Sequence, residues 1–133
     1  MIPFEFTIKG PPLSQQASSR SKNRWKAAVS AAATALVPSG CGIVNRPVGL
    51  SIRYFYEGDT PDVDNIIKPI QDALISIVYV DDALVVQATS SKTNINGSFT
   101  IRGASSVILT AFAEGDPFVH IKVTEAPDLG ALT

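Results

Sequence analysis

What this sequence lacks narrows the possibilities first. A single cysteine, Cys41, excludes a disulfide framework within the chain and any multi-thiolate metal site. It lies in the loop SGCG, where an incidental small residue is the simplest reading. With one histidine as well, His120, a zinc site of the His/Cys kind is out of reach. No apolar run approaches the roughly 18 residues that a membrane-spanning helix needs. The start, MIPFEFTIKG, reads as a strand and has neither the charged nor the apolar region of a signal peptide. The expectation is a soluble, cytoplasmic protein with no membrane partner. Charged residues are only 17% against 45% hydrophobic, so disorder is excluded and one packed domain over residues 1–133 is expected, its tail from about 125 loose.

Acidic residues are missing from one long stretch. Between Phe6 and Tyr56 there is none, while Lys9, Arg20, Lys22, Arg24, Lys26, Arg46 and Arg53 contribute 7 positive charges. From Glu57 onward 11 acidic residues face only Lys68, Lys92, Arg102 and Lys122. The net charge of −1 therefore hides two halves, one suited to phosphates and the other to cations, an asymmetry that points to a nucleic-acid partner.

Apolar residues alternate at Ile2, Phe4, Phe6 and Ile8, which predicts a strand ended by Gly10, Pro11 and Pro12. The polar run LSQQASSRSKN predicts a loop, and Trp25, Val29, Ala32, Ala33 and Leu36 recur at helical spacing over about Arg24–Leu36. Trp25, flanked by Arg24 and Lys26, is read as a core anchor in preference to a base-stacking platform. Val48–Tyr56 alternates again, a second strand leaving through the turn EGDTPDVD. A helix is expected over about Asn65–Ile77, capped by Asp64 or Asn65, with Ile66, Ile70, Ala73, Leu74 and Ile77 facing the core. A third strand follows over Leu84–Lys92, with TNINGS as loop and a short strand near Phe99–Arg102. Ser105–Glu114 is read as a helix capped by Ser105 or Ser106 and stopped by Gly115, with a strand as the alternative. Phe118–Val123 closes the pattern as a strand in which His120, between Val119 and Ile121, is expected to face solvent. The order is β-α-β-α-β, an inserted hairpin or helix, then β: an α/β (α+β) domain with two main helices packed on a mixed sheet.

The chemistry concentrates in DVDNIIKPIQDAL, residues 62–74, and in the VYVDD that follows. On extended backbone, residues i and i+2 share a side, so Asp62 and Asp64 can present two carboxylates where strand becomes helix. Lys68 lies one helical turn beyond Asp64, and Asp72 one turn beyond Lys68. Asp81 and Asp82 then open the next strand. Carboxylates brought together repel unless a cation lies between them, and with no His/Cys set available that cation is a hard ion such as Mg²⁺, with Mn²⁺ as a substitute. Such an ion polarises a phosphodiester and activates water, and Lys68 would offset charge developing on the phosphate. Taken singly, each feature has an ordinary reading: Asp-Asp as a turn, Asp64 and Asn65 as caps, Asp64 with Lys68 as a surface pair.

Taken together, the run resembles the signature of the RusA family of Holliday-junction resolvases, Asp-x-Asp-Asn-x-x-Lys-x-x-x-Asp-Ala-Leu with a downstream Asp-Asp pair, over roughly Pro61–Lys92. A weaker likeness extends to the first strand with GPPLS, the Trp25 helix and FVHIKV. The resemblance implies a homodimeric, Mg²⁺-dependent endodeoxyribonuclease of prokaryotic or phage origin that nicks four-way DNA junctions symmetrically. It carries metal-binding carboxylates onto Asp62, Asp64 and Asp82, with Asp81 less firmly placed, and the essential lysine onto Lys68. Asn65 and Asp72 would support these groups. The backbone grip would come from Arg20, Lys22, Arg24, Lys26 and Arg53. The chain departs from the family in having Gln15 and Gln16 where the first loop is usually richer in Lys and Arg, and in a longer segment between Thr93 and Gly115. The rivals are a related nuclease for flap or fork DNA, and a non-catalytic DNA-binding or protein-interaction module on the same scaffold.

Overall fold

The structure, a computed structural model, describes residues 1–13, 17–58, 62–97 and 102–128. The alternating segments become strands: β1 (Phe4–Lys9), β2 (Val48–Tyr56), β3 (Val85–Asn94) and β4 (Phe118–Glu125). Between them come the helices α1 (Ser19–Leu36), α2 (Ile67–Ala73) and α3 (Ser106–Glu114). Short 3₁₀ turns at Val63–Asn65 and Asp82–Leu84 flank α2 and β3.

The four strands form one mixed sheet in the order β1-β4-β2-β3. The last of the described strands, β4, lies inside the sheet, antiparallel to both β1 and β2, while β3 runs parallel to β2 at the edge. The pleat sorts residues by face. Phe4, Phe6, Leu50, Ile52, Tyr54, Val119, Ile121 and Val123 point to one side, where they pack with Trp25, Val29 and Ala33 of α1 and Ile70 and Ala73 of α2. On the other side Phe55 and Phe118 pack against Ala111 of α3. Their rings stack at 4.7 Å between centroids, and Phe112 meets both edge-on.

Several expectations change here. Helix α1 begins at Ser19, five residues before Arg24, because the Ser18 hydroxyl accepts from the Ser21 amide and caps it, so part of the expected loop is helical. Helix α2 ends at Ala73 and not near Ile77, because the chain turns through Ser76 in the left-handed region (φ 66°). Neither Asp64 nor Asn65 caps it; its N-cap is Ile66, with no side-chain cap bond. Pro69 sits in its first turn, where no backbone donor is missed. Leu84 belongs to a 3₁₀ turn, β3 runs on through Thr93 and Asn94, and β4 takes in Thr124 and Glu125. The insert is a helix, α3, in keeping with the expectation over Ser105–Glu114; Ser105 caps it by accepting from the Ile108 amide, and Gly115 ends it at φ 80°. The strand expected near Phe99–Arg102 lies, apart from Arg102, outside the described residues. Among the described residues no helix is long and apolar enough to cross a membrane.

Candidate active site

The segment singled out in the sequence forms the β2-α2-β3 crossover. Its inner side is fixed by Ile66, Ile70 and Leu74, all 1% exposed or less. The Ser30 hydroxyl of α1 donates to the Ala73 carbonyl at 2.8 Å and ties down the end of α2. The turn beyond is held twice. The Val44 amide donates to the Val78 carbonyl and the Val80 amide to the Val44 carbonyl, so residues 78–80 run beside Val44 as a short bridge. Tyr79 is fully buried, and its hydroxyl donates to the Gln71 carbonyl at 2.5 Å. Burial, reinforced by the negative charges of Asp82 and Asp72, pushes this phenol up, so it stays a neutral donor. The Asp81-Asp82 pair is thereby delivered against α2.

What meets there is a lysine held between two carboxylates. The Lys68 Nζ lies 2.8 Å from Asp72 Oδ1 and 2.8 Å from Asp82 Oδ2. Hydrogen bonds to Asp72 and Asp82 push Lys68 up well beyond the ordinary lysine range, so it is a permanent cation. Asp82 is in turn held below the usual carboxylate range by Lys68 first and by a hydrogen-bonded contact with Asp81 second. Lys68 remains about half exposed, so the ammonium is accessible from solvent. The pairing runs forward: the lysine sits one turn from Asp64 in sequence, yet its carboxylate partners are Asp72 and Asp82.

Asp62 and Asp64 stand apart from this contact. Asp62 precedes the 3₁₀ turn and Asp64 lies within it; both are exposed, with Asn65 beside them half-buried. Among the described residues no three His, Cys, Asp or Glu side chains come close enough to hold a metal ion. The donor set fits a hard divalent ion by chemistry, being all carboxylate oxygen, while the place between Asp72 and Asp82 is taken by the Lys68 ammonium.

The basic residues are divided between α1 and the sheet. Arg20, Lys22, Arg24 and Lys26 occupy the first two turns of α1. Arg53 lies on the opposite face of the sheet, beside Ser91 of β3, to whose hydroxyl its Nε donates at 3.2 Å. Arg46, on neither, is engaged by Glu125 through a two-pronged pair.

His120 is 7% exposed and does not face solvent as expected. The alternation put it on the correct face, but α3 packs over that end of the sheet, and the Nε2 of His120 meets Glu5 Oε2 at 2.6 Å. The Ser105 hydroxyl donates to the same oxygen at 3.0 Å. Sequence reading also passed over Tyr79, although it stands inside the quoted VYVDD; an aromatic flanked by valines carries no sign that it will bond the helix before it.

Compared with known proteins, the chain matches the family model described as endodeoxyribonuclease RusA over residues 9–102. No curated protein matches it. The matched span takes in β1's last residue, α1, β2, α2 and β3, and with them Lys68, Asp72 and Asp82. The chain belongs to the RusA family, and its class of activity is cleavage within DNA.

Proposed function

From that membership we propose that the protein nicks branched DNA symmetrically, with four-way junctions as the substrate and a homodimer as the working form. The observation that carries this reading is the half-exposed Lys68 ammonium fixed between Asp72 and Asp82 inside the family-matched span. A two-fold dimer would set two such sites against the two-fold axis of a junction.

In this reading Asp62, Asp64 and Asp82, with Asp81 beside them, would hold Mg²⁺. The ion, when bound, would supply Lewis-acid activation of the phosphodiester and of the attacking water. Lys68 has three N–H donors, of which Asp72 and Asp82 take two, and the third is free to meet a phosphate oxygen and offset its growing charge. Water's oxygen joins phosphorus as the bond to the 3′ oxygen breaks, leaving a 5′-phosphate and, after proton uptake, a 3′-hydroxyl. Asp72 aims the lysine and Tyr79 keeps the floor of the site rigid. Arg20, Lys22, Arg24 and Lys26 would grip backbone phosphates along α1, and Arg53 a strand that wraps to the other sheet face, so selection would follow DNA shape.

The test is cleavage of a synthetic four-way junction, a flap and a linear duplex by the purified protein with Mg²⁺ or Mn²⁺, comparing wild type with Asp64→Asn and Asp82→Asn. Symmetric nicks in the junction, lost in both variants, are the expected result. Binding without cleavage of any substrate would favour the non-catalytic module, preferential cutting of flaps would move the substrate, and full activity of Asp64→Asn would remove that residue from the site.

A further inference from the structure

A cavity of about 470 Å³ opens where the end of β1 and the turn after it face the first turns of α1. Ile8, Leu13 and Trp25 give it an apolar floor, while Lys9, Arg24 and Ser21 supply its polar groups, and no acidic side chain lines it among the described residues. Lys9 also reaches Asp116 at 3.8 Å, but both side chains are about two-thirds exposed, a weak pair that a phosphate can displace.

Trp25 adds a second observation. It is 7% exposed, as the core-anchor reading expects, yet its indole N–H has no hydrogen-bond partner among the described residues. That N–H is shielded from solvent, so what Trp25 offers the cavity is its apolar ring.

The register locates this cavity. Lys9 pairs with Phe118, and Phe118 with Phe55 near the end of β2, so the cavity lies at the end of the sheet from which the chain leaves β2 toward Asp62.

We propose that this cavity receives one unpaired nucleobase of a DNA strand against its apolar floor, with Arg24 and Lys9 on the neighbouring phosphates. The proposal rests on the nuclease reading for its class of ligand. A lone phosphate would leave the apolar floor uncovered, and a base inside a duplex has both faces and its edge occupied. A base at a branch point or frayed end meets both demands of the cavity: an apolar face and adjoining negative charge.

Trp25 is the single tryptophan, so its fluorescence reports the cavity directly. With no divalent metal added, the protein is titrated with an octathymidylate strand, with an octamer of abasic residues carrying the same phosphates, and with inorganic phosphate. Saturable quenching by octathymidylate alone is expected. Arg24→Ala should weaken it about tenfold, the scale of one lost phosphate or stacking contact. Ala28 lines the cavity from the exposed side of α1, and Ala28→Phe should abolish quenching while the circular dichroism spectrum stays unchanged. Equal quenching by the abasic strand, no quenching by octathymidylate, or full quenching in a folded Ala28→Phe protein would each overturn the proposal. The two readings fail separately: junction cleavage without base-dependent quenching removes only the cavity ligand, and base-dependent quenching without cleavage removes only the nuclease.

Discussion

Replacing Glu5 with glutamine tests how α3 is fastened to the sheet. The Glu5 side chain is 23% exposed and that of His120 8%, and one oxygen, Oε2, serves both His120 Nε2 at 2.6 Å and the Ser105 hydroxyl at 3.0 Å. Burial alone would push this carboxyl up. The hydrogen bonds from His120 and Ser105, with the charges of His120 and Lys122, outweigh it and hold Glu5 below its ordinary value of 4.5. A carboxylate depressed in the folded state stabilises the fold fully above its unfolded value, and that contribution is lost as pH falls through the folded value. Hydrogen bonds to a charged acceptor contribute about 1.5–3 kcal/mol each when shielded. Glutamine keeps a neutral carbonyl acceptor and the site is partly wet, so the net loss should be roughly 1–2 kcal/mol at pH 7. With an unfolding entropy of about 2.1 cal/mol/K per residue over 133 residues, the melting temperature should fall by about 4–7 °C. Thermal melts of Glu5→Gln and wild type at pH 7 and at about pH 3 measure this, and the gap should close at the lower pH. An equal gap at both values, or none at pH 7, would refute the reasoning.

The other expectations concern the crossover and the first turn. Lys68→Met should lower the rate of junction cleavage about 10²–10³-fold while shifting the melting temperature by only a few degrees, since half-exposed ion pairs hold a fold weakly; single-turnover rates and melts on one preparation decide it. Ile70→Ala should cost about 2–5 kcal/mol in urea unfolding, because a fully buried side chain at the α1–α2 contact leaves a cavity. Gly10→Ala would place a methyl group 2.9 Å from the Tyr54 ring and force it to tilt, so a loss of about 1–3 kcal/mol is expected in the same assay.

The strands were legible because burial on one face writes itself as alternation: Val48–Tyr56 has the same bounds in sequence and structure. Helix α3 was readable from its caps, Ser105 and Gly115. The early end of α2 was not, because Leu74 and Ile77 keep the helical spacing while Ser76 turns the backbone, and a serine gives no warning of a left-handed residue. The sheet order was equally out of reach, since alternation says which face is buried and not which strand lies alongside. His120 failed for that reason: its face was correct, but what covers the face is a helix some residues upstream. At the candidate site, spacing put Asp72 on the face of Lys68 but offered Asp64 as its i,i+4 pair, whereas the contact with Asp82 depends on where the Val44 bridge sets the returning chain.

The interior position of β4 bears on how the protein comes into being. Phe4 pairs with Val123 and Leu50 with that same Val123, so β1 and β2 share no ladder until β4 slides between them. On the ribosome, the residues before β4 therefore emerge with β1 and β2 unjoined, and the α1 side of the core stays unsealed until β4 follows. Contacts this distant in sequence also slow folding from the free chain. A nuclease assembled in this order has no finished sheet behind its carboxylates until β4 is in place.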